Sequence, residues 1–329
     1  MLASVLAGCN TANNAANTVA NTDAKGDVKV VTTIFPIYDW VREVAQDDAD
    51  VNLDLLLDNG VDLHSYQPTA KDIMDISDCD VFVYVGGESD DWVDDVLEKA
   101  NNKDMIVLNL LDILGAQAKK EEVKEGMQED DHEHEEEHEE GEEEHDHEGE
   151  AEYDEHVWLS LKNVSLFVDK IADALSQKDS QHAESYKANA AAYDAKITAL
   201  SEQYQAAVDA GKTKTLLFGD RFPFRYLTDD YGLDYYAAFV GCSAETEASF
   251  ETITFLADKV DELGLKSIMQ IETSDGAIAK TIVDNTKTKD QEILTLDSIQ
   301  GVTAERIKAG ESYLGIMESN LEVLKKALG

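Results

Sequence analysis

Chemistry in this chain has to be organised around histidine. Eight occur in 329 residues, and five of them, His132, His134, His138, His145 and His147, fall in one acidic stretch. Imidazole is a good ligand for Zn2+ and its neighbours, and the surrounding carboxylates draw cations electrostatically. A tract of this kind offers many overlapping weak sites and no single defined sphere. The plainer alternative is a solvated acidic linker with incidental histidines, but the crowding of five into so short a segment argues against composition alone.

Two further histidines stand where open α/β sheets place ligands, at the ends of strands. His64 lies in Asp62-Leu63-His64-Ser65-Tyr66-Gln67-Pro68-Thr69, a loop that leaves a strand and opens a helix with Thr69 as its N-cap. His156 lies in Asp154-Glu155-His156-Val157-Trp158-Leu159-Ser160, directly after the acidic tract. Taken singly, each would more often be structural. His182 reads as an ordinary surface residue at the polar start of a long helix. No Gly-x-Ser-x-Gly and no phosphate-cradling glycine loop is present, so the common nucleophile and nucleotide signatures are missing.

The formal charge of -43 repels nucleic acid and attracts cations. Residues 121–152 hold 19 acidic side chains and one lysine, so the rest of the chain is acidic as well. Leu6-Ala7-Gly8-Cys9 has the form of a lipoprotein cleavage site, with Cys9 as the acylated residue and the polar run Asn10 to Lys25 as a tether. Only eight residues precede Cys9, without a basic start, and the signal is read as truncated. No apolar stretch reaches the roughly 18 residues of a membrane-spanning helix. Membrane contact is therefore expected through the N-terminal lipid only. Cys79, just ahead of an apolar strand, reads as a small buried hydrophobe.

The elements that must position these residues alternate. Strands are predicted at 28–35, 51–57, 81–85 and 105–110, then at 215–218, 234–239, 267–271 and 292–296. Helices are predicted at 37–46, 69–76, 90–100, 222–231, 250–263, 277–286 and 304–328. This is the pattern of two α/β units with parallel sheets. Between them Tyr186, Ala190, Tyr193, Ile197, Leu200, Tyr204 and Val208 step by four and three, one face of a helix over about Gln181 to Ala210. The expected organisation is a signal remnant and tether at 1–25, an N-terminal lobe at 26–178 with a disordered His/Glu-rich loop at 119–152, a linking helix at 179–212, and a C-terminal lobe at 213–329.

Taken together, the His-Ser-Tyr-Gln-Pro-Thr loop, the Asp-Glu-His-Val-Trp-Leu-Ser segment behind a His-rich insertion, the central helix and the lipobox resemble the zinc and manganese substrate-binding lipoproteins of ABC importers. The resemblance implies two α/β lobes joined by one rigid helix, with a metal in the cleft held by two side chains from each lobe. It carries His64 and His156 over as the N-lobe ligands. The third ligand of zinc members is commonly a histidine after a strand; here Asp220 stands nearest. The fourth falls to Glu272 or Asp275. Two histidines with two carboxylates would resemble the manganese subgroup, whereas the His-rich loop resembles the zinc subgroup; Zn2+ is favoured, with Mn2+ as the alternative. The segment Gly241-Cys242-Ser243-Ala244-Glu245-Thr246-Glu247 resembles the family's C-lobe loop. Some members bridge a cysteine there to one absent from 296–300 here, so Cys242 is expected as a free thiol, and Glu245 as a loop carboxylate near a helix start.

The implied function is metal capture and delivery to an ABC permease by a monomeric, lipid-anchored, extracytoplasmic carrier that catalyses nothing. Tight binding needs neutral imidazoles and should weaken as pH falls through about 6.5. Two rivals make different demands: a metal-dependent hydrolase would turn over a substrate, and an adhesin or zinc-storage lipoprotein would need only the loop.

Overall fold

The computed structural model describes residues 28–46, 50–128, 152–243 and 247–329. Cys9, the tether to Lys25, Glu245 and the five histidines His132, His134, His138, His145 and His147 lie outside the described residues.

The first half runs β1 (Val28–Thr32), α1 (Phe35–Ala45), β2 (Val51–Leu55), α2 (Ala70–Asp78), β3 (Val81–Tyr84), α3 (Trp92–Lys99), β4 (Ile106–Asn109) and α4 (Leu110–Leu114). Two long helices follow, α5 (Leu161–Lys178) and α6 (Ala183–Ala210). The second half runs β5 (Thr215–Phe222), α7 (Arg225–Tyr231), β6 (Asp234–Val240), α8 (Phe250–Leu263), β7 (Ser267–Ile271), α9 (Ala277–Asn285), β8 (Glu292–Leu296), α10 (Ala304–Lys308) and α11 (Tyr313–Leu328). Each half builds a four-stranded parallel sheet, ordered β2-β1-β3-β4 and β6-β5-β7-β8. The orders are equivalent, so β2 and β6 occupy the same edge of their respective sheets. Central strands are buried on both sides, as helices on both faces demand: Val81-Phe82-Val83-Tyr84 has no exposed residue. Thr69 caps α2 as expected, its hydroxyl accepting from the Asp72 N–H while the Asp72 carboxylate accepts from the Thr69 N–H.

Helix α6 holds 28 residues, roughly 42 Å at 1.5 Å per residue. Its buried face consists of Tyr186, Ala190, Tyr193, Ile197, Leu200, Tyr204 and Val208, the seven residues picked out by periodicity. α5, which the pattern reading leaves unassigned, packs along α6 and buries Val164, Phe167, Val168, Ile171 and Leu175. One continuous apolar core runs through both halves by way of these two helices and α11. Trp40 of α1 stacks on Phe167 at 5.7 Å and meets Tyr313 of α11 edge-on at 5.3 Å. The Tyr204 hydroxyl donates to the Met317 carbonyl at 2.6 Å.

Three expectations are corrected. Strand β5 continues to Phe222, where a helix start was expected, because Pro223 disfavours helical backbone at the residue before it. Phe222 instead stacks on Tyr235 at 3.5 Å and continues the pairing with β6 past an irregularity between Phe218 and Arg221. The C-terminal helix is two, broken at Gly310 (φ 94°) and restarted by Ser312, whose hydroxyl accepts from Gly315. The expectation of disorder from residue 119 is overturned through Gln128. Lys120 bridges Tyr153, the Gln128 N–H donates to the Ala238 carbonyl, and Lys124 pairs with Asp234 at 2.6 Å over the Tyr235 ring. Met127 packs on the core, and the backbone at Gly126 lies against the Phe255 ring.

α11 is sewn back onto α1 by Asp39, whose carboxylate accepts the Tyr313 N–H at 2.7 Å and pairs with Arg42. Burial outweighs the Arg42 charge and raises the Asp39 carboxyl to about 6. A raised folded-state pKa means that the group's contribution is full below the unfolded value near 3.8 and is lost as pH rises through about 6. Asp39 should therefore account for a decline in unfolding free energy between pH 4 and 6 of up to ~3 kcal/mol. Denaturant unfolding of Asp39→Asn across that range should lack this decline; an unchanged pH profile would refute the assignment. Tyr204→Phe should cost about 1 kcal/mol in denaturant unfolding by removing this buried side-chain hydrogen bond.

Candidate metal centre

The loop after β2 turns through a single 3-10 turn, Leu63–Ser65, and Asp62 caps it by accepting the His64 N–H at 3.1 Å. His64 thereby points toward another 3-10 turn, Val157–Leu159, which His156 precedes. The two Nε2 atoms lie 3.2 Å apart. His156 is fully buried and the His64 side chain is 8% exposed.

Both rings are held from behind. His156 Nδ1 lies 3.0 Å from Asp154 Oδ1, an acceptor-only partner that keeps the ring proton on Nδ1 and leaves the Nε2 lone pair free. The same Asp154 oxygen accepts the His156 N–H. His64 Nδ1 faces Ser89 Oγ at 2.8 Å and Glu155 Oε2 at 3.4 Å. A carboxylate behind each imidazole is the usual outer shell of a metal-binding histidine. Two bonds of 2.0–2.1 Å at a tetrahedral angle would set their nitrogens about 3.3 Å apart, close to the separation seen.

The polar surroundings tune these groups in opposite directions. Burial lowers His64, but hydrogen bonding to Glu155 and the charges of Asp62 and Glu155 outweigh it and raise its pKa. Burial raises Glu155, and its bonds to His64 and Ser89 outweigh that and lower it. Glu155 reaches this place because Gly87 (φ 88°) has no side chain: a Cβ there would stand 2.4 Å from Glu155 Oε1.

The other lobe contributes through the loop after β6. One ligand atom from each of His64, His156 and Cys242 lies within 4.8 Å of the other two. Gly241 lies against the His156 ring, where a Cβ would meet Cε1 at 2.9 Å. The Cys242 N–H donates to Glu121 Oε1 at 3.0 Å, and burial followed by the nearby carboxylates pushes its thiol pKa well up. Arg221 ties the two loops together, donating to Ser243 O at 3.2 Å and to Asp62 Oδ2 at 2.5 Å. Lobe closure is also secured by Trp158, whose ring N–H donates to Ser298 O at 2.9 Å.

The carboxylates expected from the C-terminal lobe do not enter this cluster, and their own partners explain why. Asp220 accepts the Ile271 N–H at 3.2 Å and the Arg221 N–H at 2.9 Å, tying β5 to β7. Glu272 accepts from Ser298 N–H and Oγ, Gln300 N–H and Gly301 N–H, so it organises the 298–301 loop. Asp275 accepts the Ala277 N–H at the start of α9. Cys242 is a free thiol, as expected; what the sequence reading did not anticipate is its position beside His64 and His156, for which its place just past the end of β6 was the available signal. His182 is also more than a surface residue, since its Nδ1 lies 2.6 Å from the buried Asp179, which accepts the Tyr186 hydroxyl as well. Asp50 completes that second grouping. Cys79 is buried, as expected.

Residues 30–327 match the family model described as zinc-uptake complex component A, periplasmic. The zinc-binding protein AdcA of Streptococcus pyogenes serotype M6 is 32% identical over 309 residues, covering 91% of this chain and 55% of that protein. The chain thus spans about half the length of that relative. The high-affinity zinc uptake system protein ZnuA of Bacillus subtilis is 30% identical over 299 residues, with 91% and 87% covered. Among solved structures, the Zn(II)-bound ZnuA-like domain of Streptococcus pneumoniae AdcA superposes with a TM-score of 0.69 at 28% identity, covering 92% of this chain and 99% of that one. The match extends over both lobes and the helix between them, and on that extent the chain belongs to the periplasmic zinc-uptake component A (ZnuA) family.

Proposed function

We propose that the protein is an extracytoplasmic carrier that captures Zn2+ between its lobes and hands it to an ABC permease. The observation that carries this reading is the convergence of two carboxylate-backed imidazoles on one point, 3.2 Å apart, facing a loop of the opposite lobe. The Zn(II)-bound neighbour of the same fold supports the choice of ion. Zinc is cargo here, and no reaction is assigned. The string His134-Glu135-Glu136-Glu137-His138 does spell the His-Glu-x-x-His pattern of zinc hydrolases. It sits among glutamates with no apolar helix face and lies outside the described residues, and the cleft histidines come from two loops instead of one helix.

In this reading the protein works as a monomer. Lipid attachment at Cys9 would hold it to the outer face of the membrane, and among the described residues no helix is long and apolar enough to cross one. The partition into a lobe at 26–178, a linking helix at 179–212 and a lobe at 213–329 follows the two sheets. The His-rich tract would gather cations near the cleft, its described flanks being packed on the C-terminal lobe.

Calorimetric titration of the metal-stripped protein with Zn2+ should show one tight equivalent above a weak background. His64→Ala and His156→Ala should each remove the tight equivalent, and a protein lacking only residues 129–151 should keep it. Loss of tight binding on that deletion alone would move the function to the tract. Gly241→Ala should weaken Zn2+ binding by about 10- to 100-fold, because the added methyl displaces the His156 ring while the fold, checked by circular dichroism, is kept.

A further inference from the structure

We infer that Cys242 is a metal ligand, its thiolate taking the place that a carboxylate was expected to fill. This inference rests on the carrier reading. The case is geometric. Cys242 follows β6, and His64 follows β2, the equivalent edge strand of the other sheet. The two lobes thus present corresponding loops to one point, and the sulfur lies within 4.8 Å of a ring nitrogen of each histidine. Its backbone is placed by three independent contacts: the Cys242 N–H on Glu121, the Ser243 carbonyl on Arg221, and Gly241 against the His156 ring. Asp220 and Glu272 are meanwhile engaged by backbone donors of their own lobe. Among the described residues these three donors form the one interlobe grouping at ligand distances.

The chemistry follows from the donor set. As the metal–sulfur bond forms, the thiol proton leaves to solvent and the sulfur binds as thiolate. Two imidazoles and a thiolate are a softer set than two imidazoles and two carboxylates. Such a set favours Zn2+ and disfavours Mn2+, which prefers oxygen donors. Specificity for zinc over manganese would then reside in Cys242.

Cobalt(II) reports both points, because a Co2+–thiolate bond adds a near-ultraviolet charge-transfer band to the visible bands of tetrahedral Co2+. The full chain with one equivalent of Co2+ should show both features. Cys242→Ser should lose the charge-transfer band, keep the visible bands, and bind Zn2+ about 100-fold more weakly, the upper end of what even outer-shell changes cost. Cys9→Ser and Cys79→Ser should keep the band. In the unsubstituted protein, one equivalent of Zn2+ should protect Cys242 from alkylation, read by mass spectrometry, which serves if the serine variant fails to fold. A tight Co2+ site that is lost in His64→Ala but never shows the charge-transfer band would overturn thiolate ligation and leave the carrier intact. Loss of the band in the Cys9 or Cys79 variant would overturn it too. Absence of any tight site sensitive to His64→Ala would instead refute the carrier reading itself.

Discussion

Two imidazole nitrogens held 3.2 Å apart inside a protein are the constraint on which this structure turns. Each ring must be buried and turned so that its Nε2 faces the other, and each therefore has a polar partner behind its Nδ1. Asp154 accepts from His156, while Ser89 Oγ is the hydrogen-bonded partner of His64 and the adjacent Glu155 carboxylate stands behind it at 3.4 Å. Burying carboxylates has its own cost, met by the Ser89 N–H on Glu155 and the His156 N–H on Asp154. The glycine at 87 exists, in physical terms, to admit Glu155.

Because the two histidines come from loops 92 residues apart and face a third loop of the other lobe, the scaffold has to fix the lobes against each other. α6 fixes their separation, while α11 returns from the second sheet to pack on α1 through Asp39, Tyr313 and Trp40. Arg221 makes the final tie at the rim, bridging the loop that carries His64 and the loop that carries Cys242. A site assembled in this way favours small adjustments of those loops over a wide swing of the lobes.

Much of this is legible in the sequence, and the exceptions have identifiable causes. The apolar face of α6 could be read residue by residue, since helical periodicity is a local property. His64 stood out because a ligand-type residue in the loop that leaves a strand is a local signal, whereas His156 follows no strand and stood out through the Asp-Glu-His-Val-Trp-Leu-Ser segment around it. The C-terminal lobe's contribution was not readable in the same way. Whether Glu272 is free to bind a metal depends on donors 26 to 29 residues away, at Ser298, Gln300 and Gly301. Cys242 did stand just past a predicted strand, but that it meets His64 and His156 depends on β6 being the topological counterpart of β2. At Phe222 two local signals competed, the helical pattern and the restriction imposed by Pro223, and the second won.

The apolar core is shared, running from Trp40 through Phe167, Tyr193 and Tyr204 to Met317 without a break between the halves. Lobes that each possess a sheet are commonly thought of as separate units that could be cut apart, exchanged or recombined. Here a cut between α5 and α6 would strand half of one interior on each side. The two halves therefore stand or fall as one body, with the loops after β2 and β6 at its rim.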